Sequence, residues 1–175
     1  IIDDGSQDGT SALLDELTHV FPFLRVIHRP VGASGGKSGA LNAALSEVKG
    51  DWLLILDADA QFSDALLLRL ITFHEQGGWS AVQLRKAVIN TSKNQLTRFQ
   101  AMEMAMDAII QKGRLANGGV VELRGNGQLL SRSVLNNCGG FNEETVTDDL
   151  DLSFRLLIGQ ALVGIIWGPT VQEWA

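Results

Sequence analysis

The stretch from Trp52 to Ala60, WLLILDADA, constrains the fold more than any other part of the sequence. Its first part, Trp52 to Leu56, is apolar without a break and shows no alternation of apolar and polar residues. An unbroken apolar run is typical of a strand that is buried on both faces, as in a sheet covered by helices. The sequence therefore predicts an α/β fold.

Two carboxylates follow this predicted strand, Asp57 and Asp59. Residues two apart in an extended chain point the same way, so both side chains project from the carboxyl end of the strand. Open α/β sheets bind their ligands at that end. Paired carboxylates suit Mg²⁺ or Mn²⁺, which are usually bound together with substrate phosphates. The alternative is a solvated turn, with Asp59 near the start of the next helix.

Composition limits the class of protein. The chain has 175 residues, of which 45% are hydrophobic and 19% charged, as expected for one globular domain. A net charge of −6 argues against nonspecific nucleic-acid binding, which needs a basic surface. The single cysteine, Cys138, excludes an internal disulfide and fits a reducing compartment. Ile1-Ile2 resembles the tail of a strand, so we expect this chain to be a fragment of a longer protein.

Two further motifs precede the central strand. Asp3 and Asp4 follow the strand tail in a polar turn, where helix capping is the simpler interpretation of a lone DDGS. The segment RPVGASGGKSG, residues 29–39, is rich in glycine and leads into a helix whose start, with Lys37, is suited to phosphate. It is not a Walker A motif, because that motif requires a glycine six residues before its lysine, and the residue six before Lys37 is Val31.

The second half of the chain carries three predicted features. The longest helical pattern runs from Leu96 to Leu115, with apolar residues recurring at helical spacing: Leu96, Phe99, Met102, Met106 and Ile109 or Ile110. Core packing is the simpler interpretation of its three methionines, and a soft apolar surface beside a lipid or a partner is the alternative. VVELRGNGQLL, residues 120–130, predicts two short strands around a tight turn at Asn126. TVTDDLDLSFR, residues 145–155, predicts a helix whose first turn is acidic, which favours the helix dipole.

Taken together and in this order, DDGS, GGKSGALN, DAD and TDDLDLSFR resemble the motifs of family 2 glycosyltransferases of the GT-A fold, over essentially the whole chain. The resemblance implies a nucleotide-sugar-binding α/β fold. Its sheet is expected to be mixed and mostly parallel, flanked by helices and incomplete at both ends. The nucleotide-binding half corresponds to about residues 1–60, and the acceptor half to about residues 61–175.

The resemblance also implies roles for individual residues. Asp149 is the expected catalytic base, and Asp57 and Asp59 are expected to hold the donor diphosphate and a Mg²⁺ or Mn²⁺ ion. Asp148 stands where a glutamate is common. The expected donor-binding residues are Asp3, Asp4, Lys37, Asn42 and Asp57. The expected residues on the acceptor side are Arg124, Asn126, Gly127 and Asp148.

A narrower likeness, carried by AVQLRKAVIN, ELRGNGQLLSR and CGGFNEETVTDDLDLSFRL, is to the monoglucosyldiacylglycerol synthases of cyanobacteria. It implies an inverting transfer of glucose from UDP-glucose to diacylglycerol, forming a β-glycolipid. The expected partners are therefore a UDP-sugar donor and a lipid or glycan acceptor, without nucleic acid. The catalytic domain is expected on the cytoplasmic side of a membrane, held there by parts of the parent protein outside this chain.

Other functions stay open at this point. One is a processive synthase of a β-polysaccharide, such as cellulose, hyaluronan or poly-N-acetylglucosamine. A second, from another class, is a nucleotide-binding module without catalytic activity. A glycoside hydrolase also uses paired carboxylates, but it does not need the DAD pair or the cationic glycine-rich loop.

Overall fold

A computed structural model gives the fold, and it describes residues 1–75 and 78–175. The chain forms two compact units. The first unit comprises residues 1–49 and 139–148, and the second comprises residues 50–138 and 149–175.

The first unit is a small α/β element. Its strands and helices are β1 (Ile2–Asp4), α1 (Thr10–Val20), β2 (Ile27–Arg29) and α2 (Gly36–Leu45). β1 and β2 pair in parallel, with Asp3 opposite His28. β1 therefore ends at the aspartates, as the sequence predicted.

The second unit contains the strand that the sequence interpretation placed at the centre, but this strand, β3 (Trp52–Ile55), lies at one edge of a four-stranded sheet and is mostly half-buried. Its elements are β3 (Trp52–Ile55), α3 (Asp64–Glu75), β4 (Ala81–Val88), α4 (Gln95–Ala116), β5 (Gln128–Ser131), α5 (Arg132–Asn137), α6 (Asp148–Ile158) and β6 (Val163–Glu173), where α6 takes its first residue from the other unit. The strands follow the order β3-β5-β4-β6. β5 is antiparallel to both of its neighbours, and β4 and β6 are parallel. The predicted α/β fold with a mixed sheet flanked by helices is confirmed.

Helices cover the two faces of this sheet. On one face, Leu66 and Leu70 of α3 form a buried cluster with Val82 and Leu84 of β4. Successive strand residues point to opposite faces, so Gln83 lies on the other face. α4 packs against β4 and β6. Burial of apolar side chains from both sides explains why the strands lack alternation.

Core packing, the simpler interpretation of the methionines of α4, is wrong for Met102 and Met106, and the alternative of an exposed apolar surface fits the structure. Leu96, Phe99, Met102, Met106, Ile109 and Ile110 are all exposed. The buried positions of the helix are Thr97, Ala108 and Gln111. Small and hydrogen-bonding side chains thus form the inner face, and Asn94 starts the helix by accepting from the Thr97 amide at 3.0 Å.

The two strands predicted within residues 120–130 are only partly present. β5 forms, but residues 121–124 have no regular secondary structure. Their backbone amides bond to side chains instead: the Leu123 amide donates to Ser153 Oγ at 2.8 Å, and the Arg124 amide donates to Gln83 Oε1 at 2.7 Å. Within the described residues, no helix is both long and apolar enough to span a membrane.

Candidate active site

Asp57 and Asp59 follow the end of β3 as the sequence predicted. The Ala60 amide donates to the carbonyl of Asp57 at 3.0 Å, which closes a turn over the two carboxylates. Asp57 is half-buried and Asp59 is exposed. Among the described residues, three or more acidic, histidine or cysteine side chains do not cluster as a metal cage would require. Two carboxylates fit the other arrangement, in which the cation is shared with substrate phosphates.

The loop before β5 holds the turn that carries Asp57. Asn126 is only 2% exposed, and its side-chain oxygen accepts from the Asp57 amide at 3.1 Å. Its side-chain nitrogen donates to Glu173 Oε2 at 2.7 Å. The Gly127 amide donates to the carbonyl of Ile55 at 3.0 Å. The GNG segment is therefore fixed to the end of β3 by its backbone and by its asparagine.

Gln83 fixes the same loop from the neighbouring strand, β4. It is 2% exposed, and its oxygen accepts from the Arg124 amide at 2.7 Å. Its nitrogen donates to the carbonyls of Asn126 and Gly127, at 2.9 and 3.3 Å. The sequence interpretation assigned no role to this residue. The available signal was a glutamine between two apolar strand residues, Val82 and Leu84, since a buried polar side chain must be hydrogen-bonded.

Arg124, at the start of the loop, is held by acidic neighbours. Its guanidinium donates to both carboxylate oxygens of Asp107 on α4, at 2.8 and 3.1 Å, and lies 2.9 Å from Glu122. The hydrogen bonds with Asp107 raise the pKa of Arg124 above its ordinary value and outweigh the opposing effect of burial. The negative charge of Asp149 adds to this rise.

Asp149, the expected base, lies beside the loop at the start of α6. A methyl group built on Gly125 would come within 3.8 Å of its Oδ2 atom, and Gly125 itself has a positive φ of 74°. The Leu150 amide donates to Oδ1 at 2.8 Å. Asp149 is half-buried, so its carboxylate has room for a substrate group. Asp148, the preceding residue, is also half-buried. The loop of residues 124–127 thus contacts Asp57 at one end and the surroundings of Asp149 at the other.

Asp3 belongs to the first compact unit and is almost fully buried, at 4% exposure. Its carboxylate accepts from Ser11 Oγ, from the Ser6 amide at 3.1 Å, and lies 2.9 Å from His28 Nδ1. The hydrogen bond from Ser11, followed by those from Ser6 and His28, holds the pKa of Asp3 far below its usual range. Asp3 is therefore a fixed negative charge at the end of β1.

The other predicted donor-binding residues in this unit occupy different surroundings. Asp4 accepts from Arg29 at 2.7 Å. Lys37 is exposed in the first turn of α2. Asn42 donates to the Phe141 carbonyl and to Glu143, both at 2.8 Å, and accepts from the Phe141 amide at 2.9 Å. Asn42 therefore ties α2 to residues 139–148, and its role toward a nucleotide stays a prediction.

An α/β sheet with carboxylates after a buried strand and at a helix start is the arrangement of a glycosyltransferase of the GT-A type. The model of the family described as "Glycosyl transferase family 2" matches residues 1–139, so the chain belongs to family 2 of the glycosyltransferases.

Characterised relatives are similar over nearly the whole chain. The chain is 48% identical over 173 residues to the beta-monoglucosyldiacylglycerol synthase of Synechocystis, covering 99% of this chain and 36% of the relative. It is 45% identical over 173 residues to the synthase of the same name from Trichormus variabilis, covering 99% of this chain and 37% of the relative. The chain thus spans about a third of the length of these relatives.

A solved structure shares the fold. The mannosyltransferase of Pyrobaculum calidifontis, solved in complex with GDP-Man and Mn²⁺, superposes with a TM-score of 0.71 over 98% of this chain and 46% of its own. Its sequence identity of 19% makes this a likeness of fold alone.

Proposed function

We propose that the protein transfers glucose from UDP-glucose to diacylglycerol with inversion at the anomeric carbon, forming a β-glycolipid. The observation that carries this proposal is the 48% identity to a beta-monoglucosyldiacylglycerol synthase over 173 residues, 99% of this chain. We further propose that the protein works at the cytoplasmic face of a membrane, because that is where a lipid acceptor and a cytosolic sugar nucleotide meet.

In this proposal, Asp149 acts on the acceptor. Its half-buried carboxylate takes the proton from the free hydroxyl of diacylglycerol as the oxygen attacks the anomeric carbon. The bond from that carbon to the UDP oxygen breaks, and UDP leaves with the electron pair. A single direct displacement inverts the configuration. The loop at residues 124–127 contributes by fixing the acceptor side of the site, a positioning effect.

Asp57 and Asp59 act on the donor. They would hold a divalent cation jointly with the diphosphate, as two carboxylates after a strand can. When bound, such a cation neutralises the charge that develops on the leaving UDP. The turn closed by Asp57 and Ala60, together with Asn126, keeps the Asp57 backbone in place for this role.

The test is product analysis with the full-length protein, UDP-glucose and dioleoylglycerol, with Mg²⁺ or with chelator. We expect a lipid product whose sugar is β-linked by NMR, formed only with the cation. Transfer to sugar oligomers but not to diacylglycerol would favour a polysaccharide synthase. Cation-dependent UDP binding without any product would favour a noncatalytic module.

The metal role is tested by Asp59→Asn, measured by calorimetric titration of UDP-glucose with and without Mg²⁺. We expect this change to abolish the dependence of binding on Mg²⁺. Asp64→Asn is the matched control, because Asp64 is also exposed and lies just beyond the turn, in the first turn of α3. If UDP-glucose binding by Asp59→Asn keeps its dependence on Mg²⁺, Asp57 and Asp59 do not bind the cation and are part of a solvated turn.

A further inference from the structure

A cavity of about 460 Å³ lies between β4, β6 and α4, in the second compact unit. Its volume is in the range of small-molecule sites. Arg124, which lines it, directly precedes the glycine that faces Asp149. The cavity therefore adjoins the expected catalytic base, and nothing in the reaction scheme above uses it.

Arg85 stands out in the wall of this cavity. Its guanidinium carbon lies 4.8 Å from the ring centre of Trp167. Its Nε atom is buried and has no hydrogen-bond partner among the residues that the structure describes. A buried donor without a partner is destabilising by about 1–3 kcal/mol, so an unpaired group of this kind calls for an explanation.

The strand register explains how Arg85 and Trp167 come together. β6 advances from Ile166 to Val171 while β4 advances only from Leu84 to Lys86. Such an irregularity redirects side chains and is common beside functional sites. Trp167 lies in the segment of β6 between Ile166 and Val171 that has extra residues relative to β4. Lys112 Nζ also lies over its ring, 4.6 Å from the ring centre.

The other cations of the cavity are already compensated. Arg124 is paired with Asp107, at 2.8 Å, and Lys86 lies 3.5 Å from Glu173. Glu103 also lines the cavity and adds a negative charge to its wall. The cavity as a whole therefore offers a hydrogen-bond donor to a ligand that is itself neutral, and a phosphate dianion would meet the carboxylates.

We propose that this cavity binds the ester carbonyls of the acceptor lipid and that Arg85 is the donor that recognises them. Ester carbonyls are neutral and accept hydrogen bonds without donating any, and an acceptor is what the Nε atom of Arg85 lacks among the described residues. Met104 and Ile165 supply an apolar wall for the first methylene groups of the acyl chains. The free hydroxyl of the glycerol would then point past Arg124 toward Asp149. This inference rests on the proposed function, and it adds the site that selects the acceptor.

The experiment compares two acceptors in the full-length protein. Dioleoylglycerol and 1,2-di-O-oleylglycerol have the same free hydroxyl and the same chains, but the diether has no carbonyls. Both are presented in the same detergent micelles, and kcat/KM is measured for each. We expect the native protein to prefer the ester by about ten- to a hundredfold, the range of one hydrogen bond from a charged donor.

Variants assign the preference to Arg85. We expect Arg85→Met, which keeps the unbranched stem but removes the donors, to reduce the preference to about twofold or less, and Arg85→Lys to keep part of it. The KM for UDP-glucose should not change. Arg98→Met is the matched control, because Arg98 is an exposed arginine of α4 that does not line the cavity. The ratio of two acceptors in one preparation is independent of the folded fraction, so partial misfolding of a variant does not obscure it.

Two results would overturn the inference while leaving the proposed function intact. One is equal use of the ester and the diether by the native protein. The other is a preference that survives Arg85→Met unchanged. Absence of transfer to either lipid by the native protein would instead contradict the proposed function itself, and the inference with it.

Discussion

Replacing Gln83 by methionine should destabilise the second compact unit, because this side chain holds the loop of residues 124–127. Its oxygen accepts from the Arg124 amide, and its nitrogen donates to the carbonyls of Leu84, Asn126 and Gly127. Methionine keeps an unbranched side chain of similar length but can make none of these bonds.

The expected loss follows from what each partner keeps. The Arg124 amide loses its acceptor, which costs about 1–3 kcal/mol for a group that stays buried. The Gly127 carbonyl still accepts from the Leu84 amide at 2.8 Å, so its contribution is small. Adding roughly 1 kcal/mol each for the Asn126 and Leu84 carbonyls gives a total of about 3–5 kcal/mol. That is a large part of the ~5–15 kcal/mol by which domains are usually stable.

The assay is urea denaturation of this chain followed by tryptophan fluorescence. All four tryptophans, Trp52, Trp79, Trp167 and Trp174, belong to the second unit, so the signal reports on the part that contains Gln83. Gln95→Met is the matched control, because Gln95 is exposed at the first residue of α4. We expect the control to change the free energy of unfolding by less than about 0.5 kcal/mol.

A second variant distinguishes the role of the side-chain oxygen of Gln83 from that of its side-chain nitrogen. Gln83→Glu keeps the acceptor for the Arg124 amide but brings a carboxylate against carbonyl oxygens. It should be at least as destabilising as Gln83→Met at neutral pH, and acidification should restore stability as the acid regains a donor proton. If Gln83→Met unfolds within about 0.5 kcal/mol of Gln95→Met, the loop does not depend on Gln83 and the reasoning is refuted.

Three further outcomes are expected. Asp149→Asn should lower turnover by about 10²–10⁴-fold with donor binding retained, measured in the full-length protein, and near-normal turnover would exclude the base role. Replacing the exposed Met102 and Met106 by glutamine should change diacylglycerol use but leave the melting temperature and UDP-glucose binding unaltered; a matching fall in stability would show them to be packed. Hydrogen bonds with Asp3 and then Asp15 raise the pKa of His28. Its contribution to stability is therefore present below its unfolded pKa of about 6.5 and lost as pH rises through the higher folded value, so NMR titration should place that value above 6.5.

Local patterns allowed the ends of the strands to be predicted. Five apolar residues followed by Asp57 can only end a buried strand or expose hydrophobic surface, and the structure places β3 at Trp52–Ile55. Asp149 was expected in the first turn of a helix, and α6 begins one residue earlier, at Asp148. These features depend on a few consecutive residues, so they can be predicted from the sequence.

The antiparallel pairing of β5 with β3 and β4, and the irregular backbone before it, could not be predicted. VVELRGNGQLL has the composition of a hairpin. However, the amides of Leu123 and Arg124 donate to the side chains of Ser153 and Gln83, which lie far away in the sequence. A short sequence pattern cannot identify hydrogen-bond partners that are so distant in the chain. For a similar reason the sequence left two interpretations of the methionines of α4, core packing and an exposed surface, since helical periodicity identifies an apolar face but not the direction in which it points.

Direct contacts connect the cavity that we propose for the acceptor to the turn that carries Asp57. Lys86 in the cavity wall contacts Glu173, which accepts from Asn126 at 2.7 Å, and Asn126 accepts from the Asp57 amide at 3.1 Å. A change at Lys86 can therefore displace Asp57 through two intermediates. Arg85 is different, because its buried Nε has no hydrogen-bond partner among the described residues and its guanidinium lies over the Trp167 ring. Acceptor preference can for that reason be altered at Arg85 without disturbing the donor side, whereas changes at Lys86 should alter both.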